Sequence, residues 1–262
     1  MIEQNDKITI FHLYRKDGTA LFLHPFDSLE KLIQVLKKSK IVGKYGTEPR
    51  VESLTLFRND LYRLIEDAVR SWVAEKRFIP RFIVAAGLFL CTYLFLAFVI
   101  RDPIPMVDEI IIGIVVAFVG YFLISRRDQR SNLALKKRVE LRTSVDRIVF
   151  SEDRFVRRVE EALQQHDTAS KEKLLKELVI GDIENQFEID DENEAKQLIS
   201  YLEKRFSTRE YRRQERILSR ARDKRQEQRQ LEMLSRWSES KKIDLSLFAV
   251  YRRVKRSYQN VR

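Results

Sequence analysis

The stretch Pro80–Arg127, PRFIVAAGLFLCTYLFLAFVIRDPIPMVDEIIIGIVVAFVGYFLISRR, decides the fold class of this 262-residue chain. Phe82 to Ile100 is a run of 19 residues with no charge, Pro, Asn or Gln. As a helix rising about 1.5 Å per residue it extends ~28 Å, close to the hydrocarbon thickness of a bilayer. The second run, Ile110 to Ser125, has 16 uncharged residues. It extends only ~24 Å, so it spans with Asp108 and Glu109 at the far headgroups or with local thinning. A buried helical hairpin of a soluble protein keeps a polar stripe, and neither run offers one. The expectation is a two-helix transmembrane hairpin with spans over about 82–100 and 106–125.

The flanks orient it. Lys76, Arg77 and Arg81 precede the first run and Arg126, Arg127 and Arg130 follow the second, whereas the connection 101–109 carries Arg101 against Asp102, Asp108 and Glu109. The bias of Lys and Arg toward cytoplasmic flanks puts both termini in the cytoplasm and the loop outside. Pro103 and Pro105 suit such a loop, because each fixes its own φ and disfavours helix in the residue before it. The first apolar run starts too far into the chain for a cleaved secretory signal. The expected location is the bacterial inner (plasma) membrane.

Small residues within the spans suggest how the helices pack. Gly87 and Cys91 on the first helix reach similar depth to Gly120 and Ala117 on the second in an antiparallel pair. Gly113, Ala117 and Gly120 recur at helical spacing and form one small-residue face, for use within the hairpin or between copies in a homo-oligomer. Cys91 is the only cysteine, which excludes an intrachain disulfide and any metal-binding cysteine spacing.

Charge divides the rest of the chain. Residues 204–262 carry 19 basic and 7 acidic side chains, so this tail accounts for the overall net charge of +11 while the first 203 residues sum to −1. The expected organisation is a small α+β cytosolic domain over 1–79, the hairpin over 80–127, a helical region with an acidic loop over 128–203, and a basic helical tail over 204–262. The fold class is thus a mainly α membrane protein.

ITIFHLYRKDGTALFLHPF near the start reads as a β-hairpin turning at Asp17-Gly18. Asp27 with Glu30 gives a capping box for a helix whose apolar face is Leu29, Leu32, Ile33 and Leu36. A short strand at Leu54–Phe57 is expected next, then a helix from about Asp60 bearing Leu61, Leu64, Ile65, Ala68, Val69 and Trp72. A domain this small has a marginal core, so it is expected to dock onto the rest of the protein or onto a second copy. Past Arg127, the apolar positions Leu133 to Val149 read as an amphipathic extension of the second span. ASKEKLLKELV and ENEAKQLISYLEKRF read as two shorter helices around an acidic loop. The Arg- and Gln-rich stretch 207–237 is too sparse in apolar residues for a coiled-coil seam. SLFAVYRRVKRSYQ forms a short basic amphipathic helix suited to a membrane surface, a partner groove or the protein's own core.

Residues that would carry chemistry are few. In the register set by a two-residue Asp17-Gly18 turn, His12 opposes Leu23 and His24 opposes Phe11, which places the two rings on opposite faces, unable to share a metal. Gly43 and Gly46 lack the lysine and hydroxyl of a phosphate loop and read as turn glycines. The acidic stretch 182–194 has Phe187 where a calcium loop needs Gly, so it reads as a solvated loop placed to hold back the basic tail. No cofactor, metal or enzymatic activity is expected.

Two surfaces remain as candidates. Asp108 and Glu109 would form acidic rings at a pore mouth in an oligomer; as isolated residues they complement a helix N-terminus. Arg212, Arg213, Arg216 and Arg220, with Arg252, Arg253, Lys255 and Arg256, form a basic surface for an acidic protein or anionic lipid headgroups. Nucleic acid is disfavoured, because Arg and Glu are interspersed and aromatic interleaving is sparse. The reading is a membrane-anchored scaffold or adaptor that organises a cytosolic assembly, with an oligomeric ion-conducting or effector pore as the alternative.

Overall fold

A computed structural model describes residues 7–26, 29–38, 40–100, 107–180, 187–206 and 224–261. These residues are mostly helical with one small sheet. The strands are β1 (Ile8–Tyr14), β2 (Ala20–Leu23), β3 (Ile41–Tyr45) and β4 (Phe150–Glu152). The helices are α1 (Leu29–Lys38), α2 (Val51–Lys76), α3 (Phe78–Phe95), α4 (Val107–Gln129), α5 (Asn132–Asp146), α6 (Arg154–Thr168), α7 (Lys171–Ile180), α8 (Glu192–Arg205), α9 (Lys224–Lys241) and α10 (Leu245–Val261). They fall into two compact units, which group the segments differently from the sequence boundaries: residues 1–25, 38–57 and 148–262 form one, and residues 26–37 and 58–147 the other.

The first unit is organised by a sheet of order β2-β1-β3-β4. β1 and β2 are antiparallel, while β3 pairs parallel with β1 and β4 parallel with β3. The hairpin register differs by one residue from the expected one, with His12 opposite Phe22 and Phe11 opposite Leu23. The cause is a three-residue loop. The Gly18 N–H donates to the Arg15 carbonyl, Gly18 takes a φ of +81°, and Arg15 and Thr19 close the ladder. Only glycine adopts that left-handed backbone without penalty, and a turn ending in it is the usual three-residue solution.

β3 was not apparent in the sequence, because its central Gly43 reads as a turn signal. The glycine is required by close packing: three ring carbons of Phe150 lie within 2.6 Å of where a Cβ on Gly43 would stand. Gly46 meets the backbone of Arg157 in the same way, at 2.7 Å. Glycine within a strand often marks such an approach. Core helices α6 and α8 pack on the sheet and α10 packs on them, so that Val156, Val159, Leu163, Leu198, Leu202, Phe248, Tyr251 and Val254 are buried together with Phe11, Leu13 and Leu23.

The Leu54–Phe57 strand is corrected to helix. α2 starts at Val51, directly after Pro49 and Arg50, and Phe57, Leu61, Ile65, Ala68, Val69 and Val73 are buried along one helical face. The alternating Leu54 and Leu56 mimic a strand only over one turn. Phe57 stacks on Phe22 at 4.2 Å. Of the expected capping pair, Asp27 lies outside the described residues, while Leu32 and Leu36 are buried as expected.

In the second unit α2, α3, α4 and α5 run in succession. α5 is not an extension of α4: the chain breaks at Arg130, and the Ser131 hydroxyl caps a new helix by accepting from the Ala134 N–H at 3.4 Å. Leu135 and Val139, which the extended reading placed on its apolar face, are exposed, while Ala134, Leu141 and Val145 are buried. Glu66 of α2 pairs with Arg138 and Arg142 of α5, each at 2.8 Å.

Candidate functional site

α3 and α4 pack against each other along their length. Gly113 is buried under the Phe89 ring, where an added Cβ would come within 3.0 Å, and Gly120 receives the Leu88 side chain. Ala117 between them is half-buried. The small face of α4 is therefore used, but as a set of holes for large side chains. Gly87 and Cys91 are not brought to it: a Cβ on Gly87 would meet nothing within 4 Å, and Cys91 is exposed. Leu88 and Phe89 occupy the facing side of α3, so Gly87 and its i+4 neighbour Cys91 turn outward.

What surrounds the pair is apolar. Two helical segments, Phe78–Phe98 and Asp108–Gln129, are long and apolar enough to cross a membrane, and only 6% of each is buried. Core helices of a soluble protein are mostly buried, so these do not serve as one. Ten large apolar residues stand exposed on each, among them Phe82, Ile83, Phe98, Ile114, Phe118 and Leu123. At about 1 kcal/mol for each half-exposed side chain, leaving them in water forgoes roughly 20 kcal/mol, more than the net stability of a typical domain. α3 begins at Phe78, with Pro80 in its first turn where a missing N–H costs nothing, and widens into a π turn over Leu96–Ile100.

The two ends of the hairpin differ in charge. Arg81, only 2% exposed, clasps α3 to α4: its Nε donates to Asp128 at 2.8 Å and one terminal nitrogen donates to the Ser125 hydroxyl at 3.1 Å. Beyond the clasp, Lys76 lies over the Trp72 ring at 5.0 Å and Arg126 over the Phe122 ring at 4.7 Å, whereas Arg127 and Arg130 are exposed. At the opposite end Asp108 is exposed and Glu109 half-buried, both in the first turn of α4, where a negative charge complements the helix dipole. The connecting residues 101–106 lie outside the described residues.

The basic tail is placed very differently from the expected surface. α10 is a core helix, the last of its three possible settings: Leu247, Phe248, Val250, Tyr251 and Val254 are buried. Arg252 is buried with them and donates to the Leu178 carbonyl, Arg253 lies over the Phe187 ring at 4.7 Å, and Lys255 approaches Glu203 at 3.7 Å. Of the four, Arg256 alone is exposed. Arg252 and Arg253 pack their apolar stems while their guanidinium groups bond a carbonyl or stack on a ring, and Lys255 is offset by Glu203. α9 likewise turns Leu234 and Trp237 into the core. Arg212, Arg213, Arg216 and Arg220 lie outside the described residues.

Part of the acidic stretch is also structural. Asp191 caps α8 by accepting from the Asn193 N–H at 2.9 Å, and buried Glu194 pairs with Lys44 and, at 3.0 Å, with Lys7. Lys44 pairs in addition with Asp153 at 2.6 Å. Burial pulls the Lys44 pKa down, but the two carboxylates outweigh it and raise it; reciprocally Lys44 and the Val156 N–H hold Asp153 low despite burial. Glu160 ties the loop after β3 to α6, accepting from the Tyr14 N–H at 3.2 Å and from Thr47. The pairs of Lys44, Lys7 and Glu160 were not visible in the sequence, since their partners stand more than a hundred residues apart.

The histidine geometry is corrected with the register. His12 lies 4.7 Å from Phe22, whose ring stacks on Phe57, and His24 lies 5.7 Å from Phe57, so both occupy the same side of the ribbon. Aromatic rings fill the space around them, and no group of three metal-ligating side chains occurs among the described residues. Burial lowers the His12 pKa to about 4 against a weaker opposing contact with the Thr47 backbone. Comparison with known protein families, curated proteins and solved structures finds no match to the chain.

Proposed function

We propose that the chain is a two-span membrane anchor and scaffold: the hairpin crosses the bacterial inner (plasma) membrane with both termini in the cytoplasm and holds the sheet-containing unit at the cytoplasmic face, where it organises a cytosolic protein assembly. The observation that carries this reading is the pairing of β3 with β4. β3 precedes both apolar segments and β4 follows them, yet the Gly43 N–H donates to the Val149 carbonyl and the Asp153 N–H to the Tyr45 carbonyl, each at 2.9 Å. Strands that share a ladder occupy one compartment, so the chain between them crosses the bilayer an even number of times. Two apolar helices of spanning length supply that number. The arginines at the clasped end favour the cytoplasm for that compartment.

Within the hairpin-containing unit, the Arg81–Asp128 clasp joins the two spans and the Glu66 pairs join α2 to α5. The test is reconstitution of the full chain in liposomes with washing at alkaline pH, then planar-bilayer recording. The scaffold reading expects full retention in the membrane and no conductance. Release into the wash refutes membrane anchoring. Currents abolished by Asp108→Asn with Glu109→Gln replace the scaffold with a pore.

A further inference from the structure

We infer that the clasped end of the hairpin carries a binding site for the phosphate of an anionic phospholipid headgroup, which deepens and rests on the membrane reading above. A cavity of about 630 Å³ opens there, lined by Leu123, Arg126, Arg127, Asp128, Arg130, Ser131 and Asn132. That is the size of a small-molecule site. Arg126, Arg127 and Arg130 line it within five residues, where α4 ends at Gln129 and the chain bends before Ser131 restarts it as α5. Guanidinium is the side chain best matched to phosphate, through paired parallel N–H donors.

The single carboxylate in the lining is already engaged. Asp128 is bound by buried Arg81 at 2.8 Å, so it does not cancel the arginines facing the cavity. Arg126 is held in place by stacking on Phe122 at 4.7 Å. Leu123 and the exposed Phe122, Phe118 and Val119 lead from the cavity along the apolar flank of α4, a path for an acyl chain. This continuity of a phosphate-binding mouth with an apolar wall selects a lipid over a free anion. Lys76 and Arg77 also flank the spans but do not line the cavity, so they separate a built site from the general attraction of flanking charge.

The experiment uses the full chain in nanodiscs of phosphatidylcholine doped with phosphatidylglycerol, with bound lipid counted by native mass spectrometry. A charge-assisted hydrogen bond from an arginine to the phosphate is worth about tenfold in affinity, so Arg126→Gln, Arg127→Gln and Arg130→Gln together weaken phosphatidylglycerol retention at least about a hundredfold. Removing three charges outside the cavity, with Arg70→Gln, Lys76→Gln and Arg77→Gln, reduces retention less than fivefold. Equal losses in the two triple variants overturn the site in favour of diffuse attraction. Inorganic phosphate at millimolar concentration leaves lipid retention unchanged; displacement by it reassigns the cavity to a soluble phosphate. Insertion into pure phosphatidylcholine nanodiscs tests the membrane reading separately, since that needs only the apolar spans.

Discussion

A double-mutant cycle at Gly43 and Phe150 probes the contact that joins the two sides of the hairpin. Carbon atoms pack at about 3.5–4.0 Å, and three carbons of the Phe150 ring lie within 2.6 Å of a Cβ on Gly43, so Gly43→Ala forces the ring aside by about 1 Å. Overpacking of that kind costs about 1–3 kcal/mol, reduced by up to about 1 kcal/mol because alanine has fewer unfolded conformations to lose. We expect a net loss of about 1.5 kcal/mol. Phe150→Ala alone removes a half-buried ring that meets Phe22 at 6.3 Å and Phe57 at 6.4 Å, costing about 1 kcal/mol. In the double variant the clash has no partner while the unfolded-state gain of alanine remains, so the coupling is the overpacking term itself, about 2 kcal/mol. Thermal unfolding of the full chain in nanodiscs, followed by the fluorescence of buried Trp237 with Trp72 as the second tryptophan, reads this as a shift of about 4–8 °C. Losses additive within about 0.5 kcal/mol would mean that β4 does not lie on β3.

Three further outcomes follow from the charged and titrating groups. His12 is held neutral in the fold with a pKa of about 4, below that of the unfolded chain. The unfolded state therefore takes up the proton first, and stability falls as pH drops from about 6.5 to 4 by ~3 kcal/mol; His12→Phe removes that slope from a denaturant series run across the window. Asp128→Ala leaves Arg81, 2% exposed, without its carboxylate and costs about 3–5 kcal/mol of hairpin stability, measured by steric trapping in bicelles, whereas Asp128→Asn costs less because it can still accept a hydrogen bond. Lys44→Met strands the Asp153 carboxylate, leaves Glu194 with Lys7 alone and costs about 3 kcal/mol, read as loss of protease resistance in the sheet-containing unit.

Features set by local pattern were legible in the sequence, and features set by distant partners were not. The two apolar runs, the helix α8 and the amphipathic character of α10 all follow from apolar period within about 15 positions, although the sequence left open what the apolar face of α10 packs on. The hairpin at Gly18 was legible as a turn but not in its register, since two- and three-residue loops share the same Asp-Gly signal and differ only in which residue takes positive φ. β3 escaped because it is five residues long with a central glycine, and that glycine has meaning only once Phe150 is known to lie over it. For the same reason nothing local marks Lys44, whose partners Asp153 and Glu194 come to it from far along the chain. The tail arginines mislead in the opposite direction: Arg252 and Arg253 suggest an open basic face by composition, yet their long apolar stems make them usable in a core. At the hairpin, Arg81 was readable as a flanking charge, but its pairing with Asp128 was not.

Labelling with a membrane-impermeant maleimide tests the shared-compartment claim most directly. In a Cys91→Ser background, single cysteines at Lys16, Asn260 and Asp108, all exposed, report the two ends of the chain and the far end of α4. In intact spheroplasts the account predicts labelling at position 108 alone, with 16 and 260 labelled only after lysis. Labelling of 16 and 260 on opposite sides of the membrane would contradict it, because β3 and β4 could not then share a ladder.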